Sequence, residues 1–464
     1  MNDQSAVRVE RNSAATLSGQ LAYHAAGTHF DAIPPAALDA AKLFMLDTLA
    51  VAWAGSDAPG CRETHALLVD EGGRADGTAW VYGGRLPATS AAFINGMSAS
   101  ALDFDSIGQG AAVHINIAVL PAALAIAQKE HACGRDFLAA LVIGADIVYR
   151  LGVAAKYPNR GFHYTGTFGV FGAAAAAGRL LGLDAEAMQH ALGLGFFQAA
   201  GTQQANIQPS LAKRMLSAFA ARSGVYAALL AQRGLTAPSE VLEGKFGFYA
   251  LYQEGDPDRL TEALGRRFDG VNVSLKKYPS CGCNHTTIEA MLNLIRRYDL
   301  RPDDVQSVEV TVTPYIDRIV GGRYDPSHDP QVAAQFNLRY TVACLLVRRK
   351  LGLAEIQEDV ARDPAIAAQI AKVSVKVDPQ HTTQRGPIVV RVQSRTHGEI
   401  SCRVEDVRGG PDDPFTPAEI DEKFDECFRR GARPLDSAQI ALLTQRVREV
   451  EAQSDMAAFF DGIC

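Results

Sequence analysis

A run of amphipathic helical patterns that spans more than half of the chain constrains its fold most. From about residue 14 to residue 260, apolar side chains recur every three or four positions, which is typical of helices that bury one face. Many of the buried positions hold Ala or Gly, as in FGAAAAAGRLLG, so close helix packing is expected. The pattern predicts helices over 35–54, 87–102, 117–130, 134–153, 165–182, 185–200, 211–234 and 238–243.

The pattern changes near residue 268, where segments rich in β-branched residues begin to alternate with helical ones. VNVSLKKYP, SVEVTVTPYI, VSVKVD, IVVRVQS and EISCRVED predict strands, and 284–298 and 330–350 predict helices. The C-terminal residues return to a helical pattern, with Thr416 and Asp436 as predicted N-caps.

This order of patterns predicts a mainly α protein with two domains. Residues 1–266 and 407–464 would form the two parts of a large all-helical domain. A smaller α+β lid domain, residues 267–406, would be inserted between them.

Composition and charge narrow the classes of partner. The 464 residues carry a net charge of −7 and no long basic stripe, so we expect neither nucleic acid nor a membrane surface as a partner. The eight cysteines are thinly spread, which is typical of free thiols in a reducing compartment. The first residues show no secretory pattern, and the most apolar stretches do not predict a membrane span. We therefore expect a cytoplasmic protein.

Common cofactor motifs are absent from the sequence. There is no GxxxxGK[ST] loop, no GxSxG elbow, no HExxH helix and no well-placed GxGxxG. Cys281-x-Cys283-x-His285 contains natural zinc ligands, but the spacing is not CxxC and no second cysteine pair completes a tetrahedral site. We predict no metal.

Two segments place histidines among glycines and small residues. ALDFDSIGQGAAVHINIAVLP holds Asp103, Asp105 and His114 in a loop before a helix. In RGFHYTGTFG, His163 directly precedes a helix of small residues, where the helix dipole favours a neutral imidazole and a bound anion. Each residue also has a structural interpretation, as an N-cap, a turn residue or a solvated side chain.

Two further segments concentrate cations and thiols. QPSLAKRMLSAF places Lys213 in the first turn of a helix, where the macrodipole disfavours a cation and a bound anion would explain it. LKKYPSCGCNHTTIEAM gathers Lys276, Lys277, Cys281 and His285 at a strand-to-helix turn. Neighbouring side chains of a strand point to opposite faces, so at most one of the two lysines is expected to enter a site directly.

These four segments, with FMLDTLAVAWAGS and AAQFNLRYTVACLL, resemble the MmgE/PrpD family over about residues 15–430. GFHYTGTFGVFGAAAAAGRLLG and KKYPSC carry the resemblance most specifically. The family includes 2-methylcitrate dehydratase, cis-aconitate decarboxylase and iminodisuccinate epimerase. The resemblance implies an enzyme without a cofactor, usually a homodimer, with a small di- or tricarboxylate bound in a cleft between a helical domain and a lid.

The resemblance also implies roles for individual residues. His163 and His114 would accept and donate protons, Lys213 and Lys276 would clamp carboxylates, and Asp103 would orient a histidine. The substrate-binding residues would be Lys277, Cys281, His285 and Tyr315, the last as a lid tyrosine. The cis-aconitate decarboxylases have a histidine where this chain has Cys281, which counts against decarboxylation because a thiol does not replace an imidazole.

Four functional hypotheses remain open at the level of sequence. The leading hypothesis is a lyase that eliminates water from a hydroxylated, 2-methylcitrate-like acid. The alternatives within the family are an epimerase of an imino- or amino-linked dicarboxylate and a cis-aconitate-type decarboxylase. An inactive helical binding protein is the alternative outside catalysis.

Overall fold

The structure is a computed structural model that describes residues 15–156, 158–381, 383 and 386–464. Helices dominate the N-terminal half, as the sequence predicts. Their bounds are α1 Leu17–Gly27, α2 Pro35–Gly55, α3 Cys61–Glu71, α4 Ala88–Ser100, α5 Asn116–Lys129, α6 Gly134–Ala154, α7 Tyr164–Leu180, α8 Ala185–Phe196, α9 Gln204–Ile207, α10 Ala212–Gln232, α11 Phe248–Leu251 and α12 Pro257–Thr261.

Small residues let the central helices of this half approach closely. A Cβ added at Gly172 of α7 would lie 2.5 Å from the carbonyl oxygen of Gly144 in α6, and one added at Gly144 would lie 2.7 Å from that of Gly172. Only glycine fits where these two helices cross. The predicted close packing is therefore confirmed at this crossing.

Two predictions in this half fail. Residues 238–243 form turns rather than a helix, because Pro238 and Gly244 bracket a segment too short for stable helical turns. The predicted strand VNVSLKKYP shortens to Val273–Ser274, which pairs antiparallel with Ile107–Gly108. Helix α3 was missed, since six of its eleven residues are charged or polar and only Cys61 and Leu68 are buried.

Strands appear where the sequence predicts them after residue 300. The strands are β1 Gly77–Thr78, β2 Arg85–Leu86, β3 Ile107–Gly108, β4 Val273–Ser274, β5 Val305–Val312, β6 Val373–Val377, β7 Ile388–Ser394 and β8 Gly398–Val404. The last four form a sheet with the order β6–β5–β7–β8, in which β5 and β6 are parallel and the other pairs antiparallel. The remaining helices are α13 Gly282–Tyr298, α14 Pro314–Val320, α15 Pro330–Gln335, α16 Leu338–Arg348, α17 Glu358–Ala361, α18 Pro364–Ile370, α19 Pro417–Phe428 and α20 Ser437–Arg448.

Most of the described buried apolar side chains fall into two large clusters. One combines residues between 17 and 275 with residues between 415 and 463, and also takes in Leu353 and Ile356. The other lies between residues 278 and 400, where α13 packs on β7 and β8. The mainly α class is confirmed, whereas the lid arrangement and the boundaries at 266 and 406 stay predictions.

The C-terminal helices return to the first cluster. The side chains of Thr416 and Asp436 accept hydrogen bonds from backbone N–H groups in the first turns of α19 and α20, so both predicted N-caps are confirmed. By length and composition, the described part of the chain has one helix that could cross a membrane, α6. Of its most apolar window, 94% is buried inside the structure, as in the core helices that pass the same test.

Candidate active site

A cavity with about 580 Å³ of empty space, partly open to solvent, collects most of the chemically interesting side chains. We call it the site cavity. Residues from the first turns of three long helices, α7, α10 and α13, line it. Its lining includes six residues predicted from the sequence: Asp103, His114, His163, Lys213, Cys281 and Tyr315.

The pairing of β3 with β4 explains how distant segments meet at the site cavity. Ile107 pairs with Ser274, which brings the loop that follows α4 alongside the strand that precedes Lys276. The Lys276 ammonium donates to the Asp103 carboxylate over 2.8 Å and to the Asp103 carbonyl oxygen over 2.6 Å. The Lys213 ammonium donates to the other carboxylate oxygen of Asp103.

Asp103 therefore serves both lysines, and we call these three residues the site cluster. All three are at most 5% exposed. Burial raises the pKa of the Asp103 carboxyl, but the charges of Lys213 and Lys276 outweigh it and hold the pKa well below its usual range. The Lys276 pKa is raised, because the carboxylates of Asp103 and Asp105 outweigh the opposing effect of burial. Asp103 adopts a left-handed backbone conformation with φ +49°, a strained geometry common at functional sites.

The sequence assigned the orienting of a histidine to Asp103, and the structure gives that contact to Asp105. The Asp105 carboxylate lies 2.7 Å from Nδ1 of His114, and Asp105 is 1% exposed. Burial raises the pKa of the Asp105 carboxyl. The interaction with His114 and, to a smaller extent, the charge of Lys276 outweigh burial, so the pKa is lowered overall. Such a carboxylate fixes the tautomer and the direction of the imidazole. The Asp103-x-Asp105 spacing was the available signal for this division between the two carboxylates.

His163 directly precedes α7, as the sequence predicts. Its Nδ1 is buried and has no hydrogen-bond partner among the described residues. Burial, reinforced by the charges of Lys213 and His114, lowers the pKa of His163 to about 3. The imidazole is therefore neutral at physiological pH.

Thiols and a phenol also line the site cavity. Cys281 precedes α13, and a hydrogen bond with Cys283 lowers its pKa against the effects of burial and of Asp103. Tyr315 is 8% exposed, and burial raises the pKa of its hydroxyl. Both positions are those proposed from the sequence as contacts to substrate.

Three predicted site residues do not line the site cavity. Lys276 lies behind Asp103. Lys277 points away with its side chain 40% exposed, and its ammonium lies 3.7 Å from the Glu289 carboxylate. His285 is buried, with Nε2 3.2 Å from the Ser280 carbonyl oxygen and its ring against Tyr278.

Sequence reasoning missed several residues of the lining. Gln203 and Asn206 contribute amides, and the Oδ1 of Asn206 is buried without a partner among the described residues. Phe336 places its ring centroid 5.0 Å from the Lys213 ammonium. Amides and single aromatic residues carry little signal without a recognisable motif around them.

No group of three or more His, Cys, Asp and Glu side chains gathers as a metal site would require in the part of the chain that the structure describes. In particular, Cys281 and His285 contact different partners, as described above. The absence of a metal and of a cofactor from the working protein stays a prediction.

Comparisons with known proteins find relatives that cover most of the chain. A curated relative from Aspergillus oryzae, a cis-aconitate decarboxylase-like protein named oryM, is 29% identical over 92% of each chain. A cis-aconitate decarboxylase of Aspergillus terreus is 28% identical over 83% of this chain and 81% of its own. The human cis-aconitate decarboxylase is 27% identical over 73% of this chain and 72% of its own.

Family models cover most of the chain. The model of the MmgE/PrpD N-terminal domain matches residues 19–261, and that of the MmgE/PrpD C-terminal domain matches residues 278–448. The second match begins at residue 278, shortly before Cys281, which lines the site cavity. The chain belongs to the MmgE/PrpD family.

Proposed function

We propose that the protein is a lyase that eliminates water from a hydroxylated di- or tricarboxylate by proton transfer beside a carboxylate. One observation carries this proposal. A neutral histidine with an unpartnered nitrogen, His163, and a second histidine held by a carboxylate, His114, line the same cavity. An elimination needs such a pair, one group to take a proton and one to give it.

Several features support an anionic substrate. The first turns of α7, α10 and α13 line the site cavity, so the positive ends of three helix dipoles lie beside it. Lys213 adds an ammonium to the lining.

The reaction would proceed with His163 as base and His114 as acid. His163 takes the proton from the carbon beside a substrate carboxylate, and the electron pair of that C–H bond forms the new double bond. The C–O bond breaks as His114 protonates the departing hydroxyl, which leaves as water. The negative charge of the bound substrate raises the basicity of His163 from its low value in the free protein. Lys213 stabilises the charge that develops on the carboxylate.

Decarboxylation is the second candidate, and the names of the relatives favour it. Loss of CO₂ leaves a carbanion that one acid protonates, so it needs a proton donor but no base. The substitution of Cys281 for the histidine of the decarboxylases, together with the available base His163, supports elimination over this alternative.

A substrate panel separates the candidates. Purified protein is mixed with citrate-like and succinate-like hydroxy acids, with cis-aconitate and with imino- or amino-linked dicarboxylates. Growth of ultraviolet absorbance from a new conjugated double bond supports elimination, and CO₂ release from cis-aconitate supports decarboxylation. Exchange of an α-proton for deuterium, without either signal, supports epimerisation. If none of these acids reacts, the proposed lyase activity is wrong.

A further inference from the structure

A buried ion pair from outside the site cavity holds the loop that carries its two carboxylates. Lys423, in α19, lies 2.6 Å from the carboxylate of Asp47, in α2. Their side chains are 7% and 0% exposed. Neither residue lines the site cavity.

Both residues of this pair bind backbone groups of the loop. The Lys423 ammonium donates to the Phe104 carbonyl oxygen over 3.1 Å and lies 4.2 Å from the centroid of the Phe104 ring. The second oxygen of the Asp47 carboxylate accepts from the Ser106 backbone N–H over 3.2 Å. The two contacts flank Asp105.

The position of these contacts along the backbone is informative. The Phe104 carbonyl belongs to the peptide group before Asp105, and the Ser106 N–H belongs to the peptide group after it. With both peptide groups held, the Cα of Asp105 and the direction of its side chain are fixed. The Asp105 carboxylate has a single hydrogen bond among the described residues, to His114, and its Oδ1 has none. The carboxylate itself therefore has few contacts to hold it in place.

We propose that Lys423 and Asp47 are positioning residues, which hold Asp105 so that its carboxylate orients His114 for proton transfer. This inference rests on the proposed function, because it assigns His114 a role in the reaction. It gives the C-terminal helix α19 a part in the chemistry, although α19 contributes no side chain to the site cavity.

The burial of the pair supports this role. A buried ion pair contributes little net stability, because desolvation offsets the attraction between the charges. Here the ammonium and the carboxylate each also bind the loop, so the pair combines two charge-assisted hydrogen bonds with a fixed backbone geometry. A displacement of about 1 Å in a group that positions the chemistry can reduce the rate by about 100-fold.

The test replaces Lys423 with Met, which keeps the length of the side chain and removes its charge. The kcat is expected to fall by about 10- to 100-fold with little change in KM, because the substrate contacts are retained. In an Asp105→Asn background, the same replacement is expected to cause little further loss, since both changes act through one contact. Additive losses in kcat would contradict the proposal.

A second measurement does not depend on activity. Hydrogen–deuterium exchange of residues 103–114 is expected to rise in Lys423→Met. Lys42→Met is the matched control, because Lys42 also joins α2 to the C-terminal part of the chain, through Glu451 at 2.5 Å and away from the loop. It is expected to leave both exchange of the loop and kcat unchanged.

The outcomes separate the two proposals. Unchanged exchange of the loop in Lys423→Met would overturn the positioning role, whatever the substrate. A wild type inactive on the whole panel, with the loop loosened in Lys423→Met, would overturn the proposed function and leave the structural contact intact. If Lys423→Met does not fold, Asp47→Asn replaces it, with the same expected changes in kcat and exchange.

Discussion

Two clusters of buried charge in this molecule differ in how completely their polar atoms are hydrogen-bonded. In the site cluster, Asp103 holds two lysines, and the neighbouring groups Asp105 Oδ1 and His163 Nδ1 have no partners among the described residues. In the second cluster, which we call the Arg150 cluster, Arg150 binds Asp146 and lies 3.6 Å from Asp269.

The Arg150 guanidinium leaves none of its three nitrogens unused. Nε donates to Asp146 over 2.7 Å, and the other two nitrogens donate to the carbonyl oxygens of Leu260, Glu262 and Arg267. It therefore ties α6 to the segment 260–267. The difference shows that burial of charge does not by itself mark a site.

The largest expected effect is on activity at the site cavity. His163→Gln is expected to lower kcat by about 10²- to 10⁴-fold, because the proposed proton acceptor is lost. The thermal midpoint should change little, since Nδ1 of His163 has no partner to lose. Steady-state kinetics and calorimetry on one preparation check both. Activity near that of the wild type would remove His163 from the reaction.

The Arg150 cluster should respond in the opposite way. Arg150→Met is expected to lower the free energy of unfolding by about 3–5 kcal/mol, because Asp146 is left buried without its cation. The activity of each folded molecule should be retained. Urea unfolding measures the loss, and Arg62→Met is the control, since its pair with Asp57 is exposed and should cost about 1 kcal/mol or less. Equal losses of unfolding free energy in the two variants would show that the Arg150 cluster does not stabilise the fold more than an exposed ion pair does.

Acid should reveal the uncharged histidine of the site. In the folded protein the pKa of His163 is about 3, below the ordinary value of 6.5. As pH falls below 6.5, the His163 imidazole binds a proton in the unfolded chain but not in the folded protein, so the free energy of unfolding decreases. Asp103 contributes only below about pH 4, because its pKa is lowered from 3.8.

His163→Gln is therefore expected to lose about 2–4 °C less of its thermal midpoint between pH 7 and pH 4.5 than the wild type does. Calorimetry at the two pH values measures this. The exposed residue His131 provides the control variant, His131→Gln, which should behave as the wild type. The same acid loss in all three proteins would show that His163 does not resist protonation.

The smallest effect concerns two adjacent lysines. Lys277→Ala is expected to change kcat/KM by about twofold or less, because its side chain is exposed and pairs weakly with Glu289. Lys276→Met should lower kcat/KM much more than Lys277→Ala does, because it leaves Asp103 with one cation fewer. Initial rates compare the two. A large loss of kcat/KM in Lys277→Ala would indicate that this residue contacts the substrate.

The sequence predicted local features better than contacts between segments. Helical periodicity and Pro35 were enough to place α2, and alternation of valines was enough for β5. Lys276 is buried and Lys277 is exposed, as the alternation predicted, although both lie just after the short strand Val273–Ser274 rather than on it. Each of these depends on residues close together in the chain.

The pairing of charges could not be predicted in this way. That Asp103 binds Lys213 and Lys276 depends on the pairing of β3 with β4, two strands of two residues each with no sequence signature. The division of work between Asp103 and Asp105 depends on the turn between them. Residues 238–243 show the same limit, since Pro238 and Gly244 outweighed a short apolar pattern.

The members of the site cluster lie far apart in the sequence, so the ribosome synthesises them at different times. Lys276 follows Asp103 by 173 residues, so at about 5–20 residues per second the ribosome completes the lysine on the order of 10 s after the carboxylate. Until then, burial of Asp103 would leave it without its second cation, at a cost that favours its exposure to water. We therefore expect the loop after α4 to close late during synthesis, so that an incomplete chain keeps this part of the site cavity open.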